Sequence, residues 1–437
     1  MSYIIQHVTI EGLWGIKSFD TDFHSNINIL IGQNGSNKTT FIKLIEGCLT
    51  VDRRVLMQIP FEKVVFFLVD EKQELEKLIV ERIKEENREF VRYYIPNNGV
   101  VVLSIIEDDR SYFHMNDRVN YMHIAKILKS MINMCWLSVN RYDEQIEDRN
   151  HYMMRDAVDG KLIDLLRELA VYRLRLVEQA NKYTNELNQE ALSLLLYDDN
   201  TDNTVNYNNI NIRRFTSLDP REIECALKRV FCQMGENLDT RIQLHIAKLQ
   251  EVIKSVEYQT PLSLDDLVAL VLINKTITLI DSSKKYKKNV ERIMEPIDIY
   301  MGKLQQFIKD KNFEFSEETG SLSITWHNKG FSEVDDKATL QLSPSRLSSG
   351  EKQLLILLTQ TLLQEKQPYI FVADEPELSL HIEWQRNIIG AIHEINPNAQ
   401  IIVATHSPEI AGQWPQNIIT MESITRYGNK KGNLLFY

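Results

Sequence analysis

The sequence predicts an α/β fold in which both ends of the chain form one unit and the middle is a mostly helical insertion. Three observations predict it. A glycine loop around Gly35 separates an apolar strand from a helix. Apolar strands at 369–373 and 400–404 alternate with helices, as in a doubly wound sheet that is buried on both faces. From about 155 to 312 the hydrophobic pattern is mostly helical.

Length and composition bound the kind of protein. A chain of 437 residues is too long for one ordinary domain, and we assign segments 1–150, 151–312 and 313–437. No apolar run approaches the roughly 18 residues of a membrane span, and the N-terminus lacks the features of a secretory signal. We therefore expect a cytoplasmic protein without membrane contact. The net charge of -11 disfavours a surface built throughout for nucleic acid.

The N-terminal segment alternates like paired strands at 3–32 and again at 61–106. Within the second stretch, the acidic, lysine-rich part between Asp70 and Glu89 predicts a helix. A helix at 116–133 and a short strand at 135–139 complete this segment. These elements predict the first lobe of the α/β unit.

The middle segment is helical but interrupted. An asparagine-rich stretch at 198–214 predicts a loop, and three prolines, Pro220, Pro261 and Pro296, argue against a long coiled coil. A basic run at 284–288 would contact DNA or an acidic partner, or else form a solvated helix surface. We favour the solvated surface.

The C-terminal segment returns to alternating strands and helices. A hairpin turn is predicted at 317–320, and one helix is predicted to start after Ser349. A second helix runs from about His381 to Ile395, between the two apolar strands. This alternation predicts the second lobe.

The segment 32–40, with the sequence GQNGSNKTT, is nearly a P-loop and lies between a buried strand and a helix, as that loop must. Loop N–H groups and Lys38 would hold the phosphates of ATP, and the Thr39 hydroxyl would complete a Mg²⁺ shell. Asn37 stands where the pattern has glycine, and asparagine tolerates left-handed backbone angles best after glycine. We therefore predict binding, with slow turnover. The predicted nucleotide contacts are Asn34, Gly35, Ser36, Asn37, Lys38, Thr39 and Thr40.

Two adjacent carboxylates, Asp374 and Glu375, follow the apolar strand at 369–373. Ligands of α/β folds bind at this end of the strands. Asp374 would hold Mg²⁺ and Glu375 would orient the water that attacks the γ-phosphate. Alternatively, the acidic strand end only caps the next helix.

Two further motifs, each taken alone, could be either structural or functional. Serine and glycine at 347–351, LSSGE, are common at helix starts, and a lone histidine such as His406 is usually structural. The order of motifs changes this. The P-loop, LSSGE, VADEPELSLH at 372–381 and ATHSP at 404–408 together resemble the ABC-type ATPases of the RecF, SMC and OLD-like branch.

This resemblance implies an ABC-type P-loop ATPase head, formed by the N- and C-terminal segments, that uses ATP and Mg²⁺. In that family two heads meet head to tail with nucleotide between them. The resemblance implies a D-loop at 377–381 and a switch histidine at His406 that contacts the γ-phosphate. Gln73 is the candidate for the family's Q-loop glutamine, in a lobe whose sequence has diverged. The resemblance also implies signature residues that contact the neighbouring subunit's nucleotide: Ser348, Ser349, Gly350 and Glu351.

Three functions are compatible with the resemblance: a RecF/SMC-like DNA-repair or DNA-binding ATPase, an OLD-type nuclease, and a defence ATPase with a separate effector. OLD-type nucleases carry a Toprim domain after the ATPase, whereas 31 residues follow His406, so we expect no nuclease activity of its own. The sequence also resembles stand-alone ATPases of bacterial anti-phage systems, PtuA of Septu and AriA of PARIS. That resemblance implies a homo-oligomeric scaffold that senses a phage trigger protein or DNA and holds or releases an HNH or Toprim nuclease. The DNA-repair ATPase remains the alternative.

Overall fold

The structure is a computed structural model that describes residues 2–85, 88–105, 115–138, 157–194, 212–231, 238–326 and 340–427. The strands, in chain order, are β1 (Ile4–Leu13), β2 (Lys17–Asp22), β3 (Ile27–Ile31), β4 (Lys63–Val69), β5 (Leu75–Glu85), β6 (Arg88–Ile95), β7 (Gly99–Ile105), β8 (Met134–Ser138), β9 (Lys311–Phe315), β10 (Leu322–Trp326), β11 (Leu340–Gln341), β12 (Tyr369–Asp374), β13 (Ala399–Ala404), β14 (Ile418–Thr420) and β15 (Thr425–Tyr427). The helices, in chain order, are α1 (Lys38–Thr50), α2 (Arg53–Gln58), α3 (Met115–Met131), α4 (Ala157–Ser193), α5 (Ile212–Thr216), α6 (Pro220–Phe231), α7 (Leu238–Glu257), α8 (Leu264–Phe307), α9 (Ser349–Leu362), α10 (Ile382–Ile395), α11 (Pro408–Ala411) and α12 (Met421–Ile424).

The chain divides into two compact units. The first combines Met1–Ala170 with Ile299–Tyr437, and the second is the continuous segment Val171–Asp298. Both ends of the chain therefore contribute to one unit. The insertion predicted from sequence, 151–312, begins earlier and ends later than the second unit.

A parallel sheet forms the centre of the first unit. Its strand order is β14-β3-β13-β12-β8, and each neighbouring pair is parallel. Every residue of β13 is buried, as expected for a strand covered on both faces. Because the strands are parallel and in register, with Ala404 paired to both Asp374 and Leu30, their carboxyl ends meet at one edge. This confirms the predicted α/β core.

A second, antiparallel sheet has the order β15-β2-β1-β4-β5-β6-β7. The helix predicted between Asp70 and Glu89 is wrong, because this segment forms β5 and the start of β6. Its buried residues, Leu78 and Val80, alternate with more exposed ones. The charges that suggested a helix instead pair across strands, as Glu81 does with Lys63 at 2.8 Å.

Helix α1 packs into the core shared by both sheets. Its predicted apolar face is confirmed, since Phe41, Leu44 and Ile45 are buried. The ring of Phe41 lies 5.3 Å from that of Phe19 on β2, while Val372 of β12 belongs to the same core cluster. Because this apolar face is buried against both sheets, the axis of α1 has a fixed orientation, and so does the loop that precedes it.

The second unit is helical within the described residues, and its core includes Leu227, Leu249 and Ile273. Residues 198–211 of the asparagine-rich stretch lie outside the described residues. In the basic run, Lys284 pairs with Glu222 at 3.0 Å and Lys287 with Glu291 at 3.5 Å. In the part of the chain that is described, no helix is both long enough and apolar enough to cross a membrane.

Candidate nucleotide-binding site

The loop between β3 and α1 has the backbone that its sequence requires. Gly35 has a φ of 80°, and Asn37 lies in the left-handed region with φ 70° and ψ 27°. Asn37 therefore takes a conformation that glycine adopts without cost and asparagine tolerates better than most residues. Asn34 and Gly35 are exposed at the tip of the loop, while Thr40 lies in the first turn of α1.

Gly32 and Ser36 close the base of the loop. A Cβ at Gly32 would lie 2.7 Å from Ser36 Oγ and 3.0 Å from Met421 Cβ, so any larger residue there would displace Ser36. Ser36 Oγ is buried and has no hydrogen-bond partner among the described residues. Such an orphaned polar atom costs about 1–3 kcal/mol. A phosphate oxygen bound in the loop would satisfy it, which fits the predicted ligand.

Lys38, the first residue of α1, is only 6% exposed. Its Nζ donates to the carbonyl oxygens of Gly32 at 2.7 Å and Gln33 at 3.3 Å. Burial lowers the pKa of Lys38, while the nearby carboxylates of Glu375, Glu422 and Asp374 oppose that shift. The loop carbonyls and these carboxylates thus offset part of the cost of burying the ammonium group.

Thr39 and Asp374 join the two ends of the chain. The Thr39 hydroxyl donates to Asp374 Oδ1 at 3.2 Å, across 335 positions of sequence. Burial raises the pKa of Asp374, and the hydrogen bond from Thr39 partly opposes this shift. The structure therefore brings the predicted magnesium ligands together.

These two groups fit Mg²⁺ by their chemistry, because both are oxygen donors. Their 3.2 Å separation is close to the about 2.9 Å between adjacent oxygens of an octahedral Mg²⁺ shell. Among the described residues, no cluster of three histidine, cysteine or acidic side chains could hold a metal ion. Magnesium is commonly bound by one or two protein oxygens together with phosphate and water. This is the kind of site that Thr39 and Asp374 would form.

Glu375 and His406 face each other beside this pair. His406 Nε2 lies 3.9 Å from Glu375 Oε1, and both side chains are partly exposed. Glu375 has a φ of 50° and its N–H donates to the Ala404 carbonyl at 2.8 Å. A left-handed conformation costs a non-glycine residue about 1–2 kcal/mol, so the neighbouring strand holds this carboxylate in a strained place.

Glu422, at the start of α12, was not anticipated from the sequence. Its Oε1 accepts a hydrogen bond from the Gln33 N–H at 3.0 Å, and this bond lowers the pKa of Glu422. The carboxylate is exposed and steadies the P-loop from the C-terminal end of the chain. No motif surrounds it, and 389 positions separate it from Gln33.

The predicted signature residues begin α9. Ser348 is the N-cap, its Oγ accepting from the Glu351 N–H at 3.3 Å, and Glu351 Oε2 accepts from the Ser348 N–H at 2.8 Å. Glu351 also pairs with Lys311 at 2.6 Å. Ser348 and Glu351 thus have clear structural roles as a capping box. Ser349 is exposed at the first position of the helix.

Gly350 is the point where α9 packs against the predicted D-loop. A Cβ at Gly350 would lie 2.5 Å from the carbonyl oxygen of Ser379, a residue with a φ of 71°. We expect Gly350→Ala to lower the free energy of unfolding by about 1–3 kcal/mol, because the added methyl group overpacks this contact. Urea unfolding followed by circular dichroism measures the change.

Gly390→Ala is the matched control. Gly390 lies inside α10, and a Cβ there would meet nothing within 4 Å. Alanine is the better helix former, so this variant should gain about 0.5–1 kcal/mol. Equal stability of the two variants would contradict the close contact at Gly350.

Gln73, the candidate Q-loop glutamine, is not part of this site. It lines a cavity of about 360 Å³ together with Asn26, Pro368 and Asn398, which precede β3, β12 and β13 respectively. This cavity lies at the amino edge of the parallel sheet, whereas Lys38 follows β3 at the carboxyl edge. A six-residue strand spans about 20 Å, so the prediction for Gln73 is wrong.

Comparison with protein families matches residues 244–412 to the family described as "AAA domain, putative AbiEii toxin, Type IV TA system". The match covers less than half of the chain. It contains Asp374, Glu375 and His406 and does not reach Lys38. The matched stretch includes β12, α10 and β13 of the α/β unit.

Two curated proteins are similar over shorter stretches. The retron Ec83 probable ATPase of Escherichia coli is 35% identical over 111 residues, which are 23% of this chain and 20% of that protein. The retron Vc95 probable ATPase of Vibrio cholerae serotype O1 biovar El Tor is 27% identical over 143 residues, 30% of this chain and 26% of that protein. The chain thus matches about a fifth to a quarter of each relative's length.

Among solved structures, an Smc head domain from Pyrococcus furiosus aligns with a TM-score of 0.42 and 16% identity, over 98% of this chain and 96% of that chain. An Smc head domain from Pyrococcus yayanosii aligns with a TM-score of 0.42 and 15% identity, over 98% and 97%.

Proposed function

We propose that this chain binds ATP with Mg²⁺ and hydrolyses ATP to ADP and phosphate. The observation that carries the proposal is the meeting of Thr39 with Asp374 at 3.2 Å, beside the pair of Glu375 and His406 at 3.9 Å. Lys38 reaches the same edge of the sheet from the loop. Phosphoryl transfer to water requires groups that bind phosphate, ligands for Mg²⁺ and a side chain that orients the attacking water, and these residues provide all three.

Each group has a distinct role in this proposal. Lys38 and the N–H groups of the loop bind the phosphates, and Thr39 and Asp374 would hold Mg²⁺. When bound, Mg²⁺ neutralises charge on the phosphate oxygens. Glu375 orients the attacking water and accepts its proton, and His406 donates a hydrogen bond toward the γ-phosphate.

We further propose that two copies of the chain meet head to tail with ATP between them. The exposed start of α9, at Ser349, would contact nucleotide bound by the other copy. Support comes from the predicted D-loop, where Leu378 is 46% exposed and Ile382, just beyond it, is 51% exposed. In this proposal the two side chains are covered by the other copy, since contiguous exposed apolar patches mark protein interaction sites.

The biological role that we propose is in bacterial defence against phage. The similarity to two retron ATPases supports it. In this proposal the ATPase forms a homo-oligomeric scaffold that holds or releases a separate effector nuclease of HNH or Toprim type when a phage trigger is sensed. The specific resemblance to PtuA and AriA stays a prediction.

Mass measurement tests assembly directly. With ATP and Mg²⁺ the purified protein should at least double in mass, and it should also bind the product of a neighbouring nuclease gene.

Leu378→Asp should still bind fluorescent ATP but remain monomeric, because a charge cannot be buried unpaired at the interface. Leu244→Asp, a control at a 65% exposed leucine of α7, should assemble normally. A wild type that stays monomeric with ATP and ignores the nuclease would overturn the proposed assembly.

A further inference from the structure

Glu377 ties two segments of the candidate site together. Its side chain is 8% exposed, and Oε1 accepts hydrogen bonds from the Thr405 hydroxyl, from the His406 N–H at 3.1 Å and from the Ser407 N–H at 3.2 Å. The Thr405 hydroxyl also accepts from the Ser407 N–H at 2.8 Å. One buried carboxylate oxygen thus gathers three donors from the segment that contains His406.

Gln385, on α10, makes a second connection between the same two segments. Its Nε2 donates to the Leu380 carbonyl at 3.0 Å, on the Glu377 side. Its Oε1 accepts from the Ser407 hydroxyl at 2.8 Å. The segments 376–380 and 405–407 are therefore joined by a carboxylate and by an amide.

The position of the His406 ring follows from these bonds. The backbone N–H of His406 is itself held by Glu377, and its ring lies 3.9 Å from the Glu375 carboxylate. Among the described residues, no other hydrogen bond or ion pair holds the ring, and 42% of its side chain is exposed. Release of the segment would let the ring move away from Glu375.

We propose that Glu377 is a positioning residue that holds His406 opposite Glu375, with Gln385 as the second point of attachment. The proposal rests on the proposed ATPase function. It also links hydrolysis to the segment 376–380, which carries the exposed Leu378 at the proposed interface and packs on Gly350 through Ser379. Displacement of that segment would therefore move His406.

Steady-state kinetics test the role. Glu377→Ala should lower kcat for ATP hydrolysis by about 10²-fold, the loss typical of a misplaced catalytic group, with KM for ATP unchanged. Glu377→Gln keeps an acceptor oxygen and should stay within about tenfold of wild type, since a neutral hydrogen bond is weaker than a charged one. Glu383→Ala, an exposed glutamate on α10, is the matched control and should behave as wild type.

A double-mutant cycle separates positioning from general loss of structure. If Glu377 acts through His406, then Glu377→Ala should cause no further loss of kcat in a His406→Ala background. Losses that add in the double variant, or a raised KM with unchanged kcat, would overturn the proposal.

Hydrogen exchange tests whether Glu377 holds the segment 405–407, and this test does not depend on ATP hydrolysis. The amides of His406 and Ser407 should exchange fastest in Glu377→Ala, at an intermediate rate in Glu377→Gln, and like wild type in Glu383→Ala. Unchanged exchange in Glu377→Ala would overturn the positioning role. If the wild type fails to hydrolyse ATP, the proposed function fails, while exchange still decides whether Glu377 holds this segment.

Discussion

Glu375→Gln is expected to slow ATP hydrolysis by about 10²- to 10⁴-fold, the contribution of a general base, while ATP stays bound. Glutamine has the shape of glutamate and keeps the backbone bond from residue 375 to the Ala404 carbonyl. Its amide cannot accept a proton from the attacking water. The variant should therefore accumulate ATP-bound dimers, detected as a higher mass with ATP and by the nucleotide that co-purifies with it.

Glu314→Gln provides the control for this effect. Glu314 is exposed on β9, and the same substitution there should leave hydrolysis unchanged. Phosphate release measured side by side gives the comparison. Equal rates for wild type and Glu375→Gln would remove Glu375 from its proposed role.

Where the position of a site residue depends on its local sequence, that position could be predicted well. The P-loop follows β3, while Asp374 is the last residue of β12 and Glu375 comes directly after it. Parallel strands place such ends at one edge of a sheet. The contact between Thr39 and Asp374 follows from that rule, although 335 positions separate them. The left-handed angles of Asn37 follow from residue type alone.

Other features depend on contacts that no local pattern encodes. The segment between Asp70 and Glu89 carries charges with helical spacing, but pairing with β4 determines that it is a strand. Gln73 has the residue type of a Q-loop, yet it follows β4 at the wrong edge of the parallel sheet. Glu422 reaches the P-loop only because α12 lies next to it in the fold.

Glu377 lies between these two cases. The order of motifs placed it in a D-loop, but its acceptor role depends on Thr405 and the two amides that follow, 28 to 30 positions away. The sequence around this glutamate does not identify the groups that donate hydrogen bonds to it. The parallel register of β12 and β13 creates the contact, because it places both strand exits side by side.

Lys38→Ala is expected to abolish tight ATP binding rather than turnover alone. Removing one partner of a buried charge pair costs about 2–5 kcal/mol, so the Kd for ATP should rise roughly 30-fold or more. Isothermal titration with ATP and Mg²⁺ measures the change, and Lys129→Ala, at an exposed lysine of α3, is the control. A thermal melt checks the fold, because Lys38 also bonds to the Gly32 carbonyl.

The two variants should differ most clearly in assembly. If ATP forms the contact between two copies, Lys38→Ala should remain monomeric with ATP, whereas Glu375→Gln should accumulate as dimers. Both variants lose ATP hydrolysis, so the loss of hydrolysis cannot by itself explain a difference between them in dimer formation. ATP binding by Lys38→Ala that equals wild type would place the nucleotide elsewhere and contradict the P-loop assignment. Dimers of Lys38→Ala without bound ATP would instead show that assembly does not depend on the nucleotide.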